Sequence, residues 1–534
     1  MLFLSIPALG LIALFFFIAY RFVLYPAFLS PLSSIPNAHW TSPFSPLWIL
    51  WTRYRCFENR SVHAAHLKYG SVIRLAPNEL SINDVDGLRT VYAGGFEKGE
   101  WYSIFDNYGS VPCMFSAWHS RPHSARKRMI SNVYSKSVLH SSPALARQAQ
   151  VILYDRLLPI LTVASASNAS TGIDIHEIWN STTMDFITAY QFGLKNGSNF
   201  LQNEAERRRW FSLYHSRKTY TFFNQELPRL TKFFKLLGIH LCPTWVDEAN
   251  RELEAWCKER CDAATTSMNQ TGKNSDVGNQ PVVMEAMFAG VAKETKTKGD
   301  ESVLHSTTLQ YPELSIASEM IDHLAAGHET SGITLTYISW NLSRDLALQD
   351  KLRKELLTPC PNMSLASPTS MKSICNPKDL DSLPILHAVI METLRRHAAI
   401  PGSQPRVTPY PSCTLGPYAN IPGGVRVQAQ GHSVHRNAEV YPEPEQWDYM
   451  RWLDDENGYT EDQRKERDRW FWAFSSGGRM CVGSNFAMHE IKLVIAAVYS
   501  NFRTHIVNDD GIEQTDGYTV GPASNQLILR FEKV

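Results

Sequence analysis

The sequence predicts a mainly helical α+β body with small β-sheets, preceded by one membrane-spanning helix. Three observations carry this. From Ser131 onward apolar residues recur mostly at helical spacing. Short apolar or alternating runs bounded by Pro, Asn and Gly read as strands. The first twenty residues are uncharged and almost continuously apolar. The remaining composition is that of an ordinary globular chain with a large core. Lys and Arg total 52 against 52 Asp and Glu, and 44% of residues are apolar. No charge excess points to nucleic acid.

Residues 1–21 read as the anchor. About twenty uncharged residues such as Leu11-Ile12-Ala13-Leu14-Phe15-Phe16-Phe17-Ile18-Ala19-Tyr20 suffice to cross a bilayer. A cleaved signal peptide is the competing reading. Against it, no basic segment precedes the apolar run and no small-x-small site follows it. Residues 22–40 read as a stiff linker broken by Pro26, Pro31 and Pro36. Arg21, Arg53 and Arg55 follow the span and none precedes it, which places the body, 41–534, on the cytosolic side. Within the body, Ser71–Leu75 and Leu80–Ile82 flank Ala76-Pro77-Asn78 and predict a hairpin. Thr265 to Thr308 is polar and reads as an exposed, partly mobile insertion. The charge run Asp454 to Arg469 reads as a solvated loop. Ala487, Ile491, Val494, Ile495 and Val498 mark one buried helix face. Tyr518–Val520 and Leu527–Phe531 read as strands.

The nine cysteines follow no framework spacing and are expected to be reduced thiols. Cys257 and Cys261 lack histidine partners, which argues against zinc. Triplets such as Asn196-Gly197-Ser198 and Asn269-Gln270-Thr271 match the glycosylation pattern, and in the cytosol they would stay unmodified. Cys481 is different. It lies in Phe474-Ser475-Ser476-Gly477-Gly478-Arg479-Met480-Cys481-Val482-Gly483, spaced F-x-x-G-x-R-x-C-x-G, directly before a helical pattern. Gly477 permits a tight turn, and amides near a helix start lower a thiol's pKa. Arg479 can reach an anionic group, Phe474 can shield the sulfur, and Gly483 allows close approach of a planar ring.

This loop resembles the haem-ligand signature of the cytochrome P-450 superfamily, the haem-thiolate monooxygenases, and three further segments match in order. Ala326-Gly327-His328-Glu329-Thr330 resembles the A-G-x-[D/E]-T of the distal helix. The resemblance gives Thr330 and Glu329 the catalytic role of relaying protons during O2 activation. Gly327 and Thr330 are expected to open a local distortion there. Glu392-Thr393-Leu394-Arg395 matches E-x-x-R, with Arg451 as third member of a structural network. Arg406, after Pro401-Gly402-Ser403-Gln404-Pro405, corresponds to a propionate ligand, and His435 either approaches a propionate by the same analogy or is a satisfied core or surface histidine.

The chain departs from the pattern at W/H-x-x-x-R. The best register, His123 to Lys127, puts lysine where arginine is expected, and Arg126 is the alternative. The implied haem contacts are therefore Cys481, Arg479, Arg406, His123, Lys127, Phe474, Gly477 and Gly483, with Cys481 ligating iron. The implied substrate pocket includes Asp322, His323, Ala326, Ile400, Ser403 and Val520, within segments such as Tyr102–Phe115 and Met320–Ala326 where many residues are apolar or aromatic, which suits a lipophilic small molecule; Asp322 and His323 either place a polar anchor there or contact neighbouring helices.

The resemblance implies a cytochrome P-450 fold carrying haem b with an axial cysteine thiolate. It further implies an endoplasmic-reticulum anchor and electrons from a separate NADPH-cytochrome reductase, with cytochrome b5 a second donor. Lys127, Arg128 and Lys492 are candidates for the reductase surface. The linker, hairpin and Pro401 segment look most like fungal members acting on secondary metabolites. A haem-thiolate isomerase or dehydratase without O2 activation, and a non-enzymatic haem sensor, stay open as alternatives.

Overall fold

The computed structural model describes residues 6–166, 171–270, 276–367, 373–454, 456 and 458–534. The helices that position the site are α1 (Ile6–Ala19), α2 (Leu47–Tyr54), α3 (Ser120–Ile130), α4 (Ile175–Phe192), α5 (Glu204–Ser216), α6 (Thr221–Glu226), α7 (Pro312–Ser343), α8 (Pro384–Arg396) and α9 (Ser484–Tyr499). The strands are β1 (Val72–Ala76), β2 (Glu79–Ile82), β3 (Ile173–Asp174), β4 (Arg406–Val407), β5 (Ser412–Leu415), β6 (Tyr418–Pro422), β7 (Arg426–Gln428), β8 (Phe502–Asn508) and β9 (Ile528–Lys533). They form three small sheets, in the orders β1-β2-β7-β4, β3-β9-β8 and β5-β6. The expected hairpin is β1–β2, and the only parallel pairing between these strands is β2 with β7.

α1 continues as a π-helical segment to Leu29, and the exposed apolar stretch Leu9–Leu29 is long enough to cross a bilayer. The chain then packs onto the body. Buried Arg74 donates to the carbonyls of Pro26 and Pro77, both at 2.8 Å. The amide of Arg74 donates to Pro36 and that of Ala38 to Arg74, while Leu32 and Ile35 are buried.

α7, 32 residues long, is the central element and is buried along most of its length between α4 and α9. Its close approach to α4 depends on glycine. A Cβ on Gly327 would lie 2.9 Å from Ile187, and one on Gly332 2.7 Å from Asn180. The expected distortion does not appear, because α7 runs unbroken through residues 326–330. Gly327 serves interhelical packing instead.

Other expectations are also corrected. The polar segment 265–308 is largely helical in its described part. Thr265–Gln270 closes the helix Thr244–Gln270, and Val282–Lys298 buries Val283, Met284, Met287 and Val291. A narrow apolar stripe suffices because Gly290 lets α3 approach at Met129. Thr271 of the second glycosylation triplet lies outside the described residues. The charge run contains the helix Glu461–Trp470, started by a Thr460–Gln463 capping box and held by buried Arg467, which donates to the Arg451 carbonyl at 2.7 Å. Tyr518–Val520 forms no strand, although β9 appears as expected. Cys360 and Cys375 form a disulfide with a Cα–Cα distance of 5.3 Å, so reduced thiols hold only for the seven others.

Candidate active site

The cysteine loop is built by backbone demands. Gly477 has φ +71°, and a Cβ there would fall 2.2 Å from the Tyr92 carbonyl, so only glycine fits. The Cys481 amide donates to the Phe474 carbonyl at 3.0 Å and closes the loop. Gly483 immediately precedes α9. Burial pushes the Cys481 thiol up, opposed by the Gly483 amide, the Lys127 ammonium and the Ser484 amide. Protein surrounds the sulfur on all sides, yet it stays accessible, so it faces an interior cleft.

α7 carries an accessible stripe of its own. Asp322, Ala326 and Thr330, at i, i+4 and i+8, keep exposure on a helix whose neighbouring positions are mostly buried. The Thr330 hydroxyl donates to the Ala326 carbonyl at 2.7 Å. Glu329 points elsewhere. Its carboxylate pairs with Lys218 and accepts from the Tyr214 hydroxyl at 3.0 Å. Burial alone would raise its pKa, but Lys218 and His328 hold it at about 2. His323 also leaves the open face, taking the Tyr134 hydroxyl at 3.1 Å and lying 3.6 Å from Glu319.

One end of the cleft is cationic. Arg479 donates to the carbonyls of Ala117 and Trp118, each at 2.7 Å, and pairs with Glu97 at 3.0 Å. Arg406 donates to the Tyr102 hydroxyl at 2.8 Å and lies 4.8 Å above the Tyr92 ring. Buried Lys98 sits 4.0 and 3.9 Å over the rings of Tyr102 and Phe115. Burial and then Arg406 and Arg479 push its pKa well down. Burial followed by Arg479, Lys98, Lys127 and Arg406 takes His123 down to about 3. Lys127 reaches the loop itself, donating to Gly478 at 3.0 Å, whereas Arg126 turns away to Ser315 and Glu319. Of the two candidates, Lys127 is thus the one that contacts the cysteine loop.

Behind the loop, Glu392 accepts two hydrogen bonds from Arg395 at 2.7 and 2.8 Å, and others from Trp452 and the Asp448 amide. Arg451 lies 3.4 Å from the same carboxylate. His435 bridges Arg395 and the loop: its Nδ1 pairs with the Arg395 carbonyl at 3.0 Å and its Nε2 accepts the Trp472 amide at 2.8 Å. It is a satisfied core histidine and has no ring nitrogen left for a propionate. Ile400, Ser403 and Val520 come together because Gly402 packs on Gly517–Tyr518 and Val520 bonds Ala399. Lys492 is buried against Asp381 at 2.7 Å and offers no docking surface. Sequence reasoning missed Lys98 and Tyr92, which lie outside any motif; only their proximity to Arg406 reveals them.

An accessible thiol in a glycine-turned loop, a long unbroken helix and a gathering of cations fit a class of protein that binds an anionic cofactor through sulfur. A family model, Cytochrome P450, matches residues 57–529, and the chain belongs to that family. It is 28% identical over 80% of its length to Cytochrome P450 monooxygenase avaI of Aspergillus versicolor, covering 94% of that relative. It is 25% identical over 98% of its length to monooxygenase FGM1 of Gibberella zeae, covering 96% of it, and 23% identical over 95% to monooxygenase orf2 of Aspergillus niger, covering 94% of it. The protein is a monooxygenase whose cofactor is haem with a cysteine thiolate ligand. The residues fit that cofactor. Lys98, Arg406 and Arg479 gather with one directly paired carboxylate, an arrangement that calls for anionic groups such as two propionates.

Proposed function

We propose that the protein is a fungal endoplasmic-reticulum monooxygenase, anchored by its N-terminal helix with the body cytosolic. It oxidises a lipophilic secondary metabolite with O2 and electrons from a separate NADPH-dependent reductase. Cys481 is the haem ligand, and haem held by thiolate supplies O–O bond cleavage. Lys98, Arg406, Arg479 and His123 receive the propionates, while Lys127 steadies the loop. Thr330, with its hydroxyl on the open face, holds water and passes protons along α7. Glu329 joins that relay only when Lys218 releases it. Exposed Arg128 and its neighbours on the cysteine side receive the reductase.

The accessible interior sulfur of Cys481, set among cations, carries the reading. Its test is the carbon-monoxide adduct of the reduced protein. The wild type shows the red-shifted Soret band of thiolate ligation, and Cys481→Ser loses it while keeping the fold by circular dichroism. A Cys481→Ser protein that retains the band overturns the assignment.

A further inference from the structure

This inference rests on the haem-thiolate reading and concerns the charge at the cofactor's edge. The cations gathered there come from separate stretches of chain: Lys98, Arg406 in β4, and Arg479 in the cysteine loop. One residue touches all three stretches. Glu97 directly precedes Lys98. Its main-chain carbonyl accepts the Val407 amide at 2.8 Å, next to Arg406. One oxygen of its carboxylate pairs with the Arg479 guanidinium at 3.0 Å, and the other accepts the Ser120 amide at 3.0 Å. Ser120 is the first residue of α3, the helix that carries His123 and Lys127. The same guanidinium donates to the carbonyls of Ala117 and Trp118, just before that helix. Glu97 thus ties Arg479 to α3 with its side chain and ties β4 to both with its backbone.

Its charge bears on the same edge. Lys98 donates to the Phe115 carbonyl, and Arg406 to the Tyr102 hydroxyl and the Pro405 carbonyl, all neutral acceptors. With the three basic groups protonated, Glu97 leaves an excess of two positive charges, the number that two propionates cancel. The Glu97 side chain is 39% exposed and that of Arg479 only 9%, so water screens the pair incompletely. We infer that Glu97 is the positioning residue of this edge: it holds Arg479 ready for a propionate and, through its own negative charge, sets the reduction potential of the bound haem. Without that charge the edge is left net positive, which favours the reduced, more negative state of the cofactor.

The test reads the one-electron midpoint potential by spectroelectrochemical titration of the haem-loaded full chain as wild type, Glu97→Gln and Glu97→Asp. Each is first checked for the thiolate carbon-monoxide band. Gln keeps the size of Glu and an acceptor for the Ser120 amide but loses the charge; Asp keeps the charge. Glu97→Gln should shift the equilibrium about tenfold toward the reduced form, about 59 mV upward. Glu97→Asp should stay within about threefold of the wild type. A Gln variant with the wild-type potential, or an Asp variant that shifts as far as the Gln, overturns the inference. Should Gln load no haem while Asp does, the charge itself holds the cradle, as inferred. Should neither load haem, Glu97 serves the fold alone and the inference fails. A wild type without the thiolate band overturns the haem-thiolate reading itself, and this inference with it.

Discussion

Lys98 makes an unusual side-chain choice: an ammonium buried beside two guanidiniums, held off by ring faces. Repulsion of this kind destabilises a protein without its cofactor and favours it once anions arrive. Lys98→Met therefore raises the melting temperature of the haem-free protein and weakens haem affinity about tenfold, both read by titrating haem into apoprotein. An unchanged affinity removes Lys98 from the cradle. Glu392 illustrates the opposite case, a buried carboxylate fully used by Arg395, Arg451, Trp452 and Asp448. Glu392→Gln strands two guanidiniums and costs roughly 3–5 kcal/mol in chemical denaturation. Cys481, Arg406, Arg479 and Glu392 were legible because their spacing is fixed by local backbone. Lys98 was not, because the guanidiniums of Arg406 and Arg479 that mark its place are separated from it by hundreds of residues. Glu329 was legible as a residue but not in direction, since Lys218 arrives from another element.

At the scale of elements, α6 is clasped to the sheet by charge. Glu226, its last residue, pairs with Arg53 at 3.0 Å and Arg426 at 2.9 Å and accepts from the Trp101 indole at 2.7 Å. Burial would raise its pKa, but Arg426 and Arg53 bring it down to about 2. A carboxylate depressed in the folded state stabilises above its ordinary pKa, near 4.5, and that stability is lost as pH falls toward 2. Glu226→Gln should thus lose on the order of 3 kcal/mol at neutral pH, and its urea midpoint should fall less steeply than the wild type's between pH 5 and 2. Parallel acid profiles would show that the clasp contributes nothing. Helices with broad apolar faces, such as α7 and α9, could be read directly from periodicity. Val282–Lys298 could not, because only four of its residues are deeply buried and its last six residues, Lys293 to Lys298, are all polar. Tyr518–Val520 looked like a strand because apolar and β-branched residues also suit a pocket-lining turn.

For the whole molecule, the placement of the N-terminal apolar helix matters most. Arg74 fixes Pro26 to the sheet, so the Leu9–Leu29 helix leaves the body in a set direction rather than from a loose tether. Two further apolar surfaces are exposed. One carries Trp40 and Trp51, 75% and 59% exposed; the other, after α6, carries Leu236 and Leu237, 86% and 60% exposed. The first reaches α6 through Tyr54, whose ring lies 6.2 Å from Trp51, 5.4 Å from Phe222 and 6.1 Å from Phe223. Exposed apolar area of this kind beside a helix long enough to cross a bilayer is stabilised by lipid rather than water. The full-length protein in phosphatidylcholine vesicles should then place Trp40 and Trp51 within reach of the acyl chains. Brominated acyl chains should quench part of the tryptophan fluorescence, and the double variant Trp40→Phe, Trp51→Phe should lose that fraction. Leu236→Ser with Leu237→Ser should leave the spanning helix inserted but reduce the quenching, because half of the contact surface no longer favours lipid. Quenching that is identical in the wild type and both variants would mean that the body stands clear of the bilayer and touches it through the helix alone.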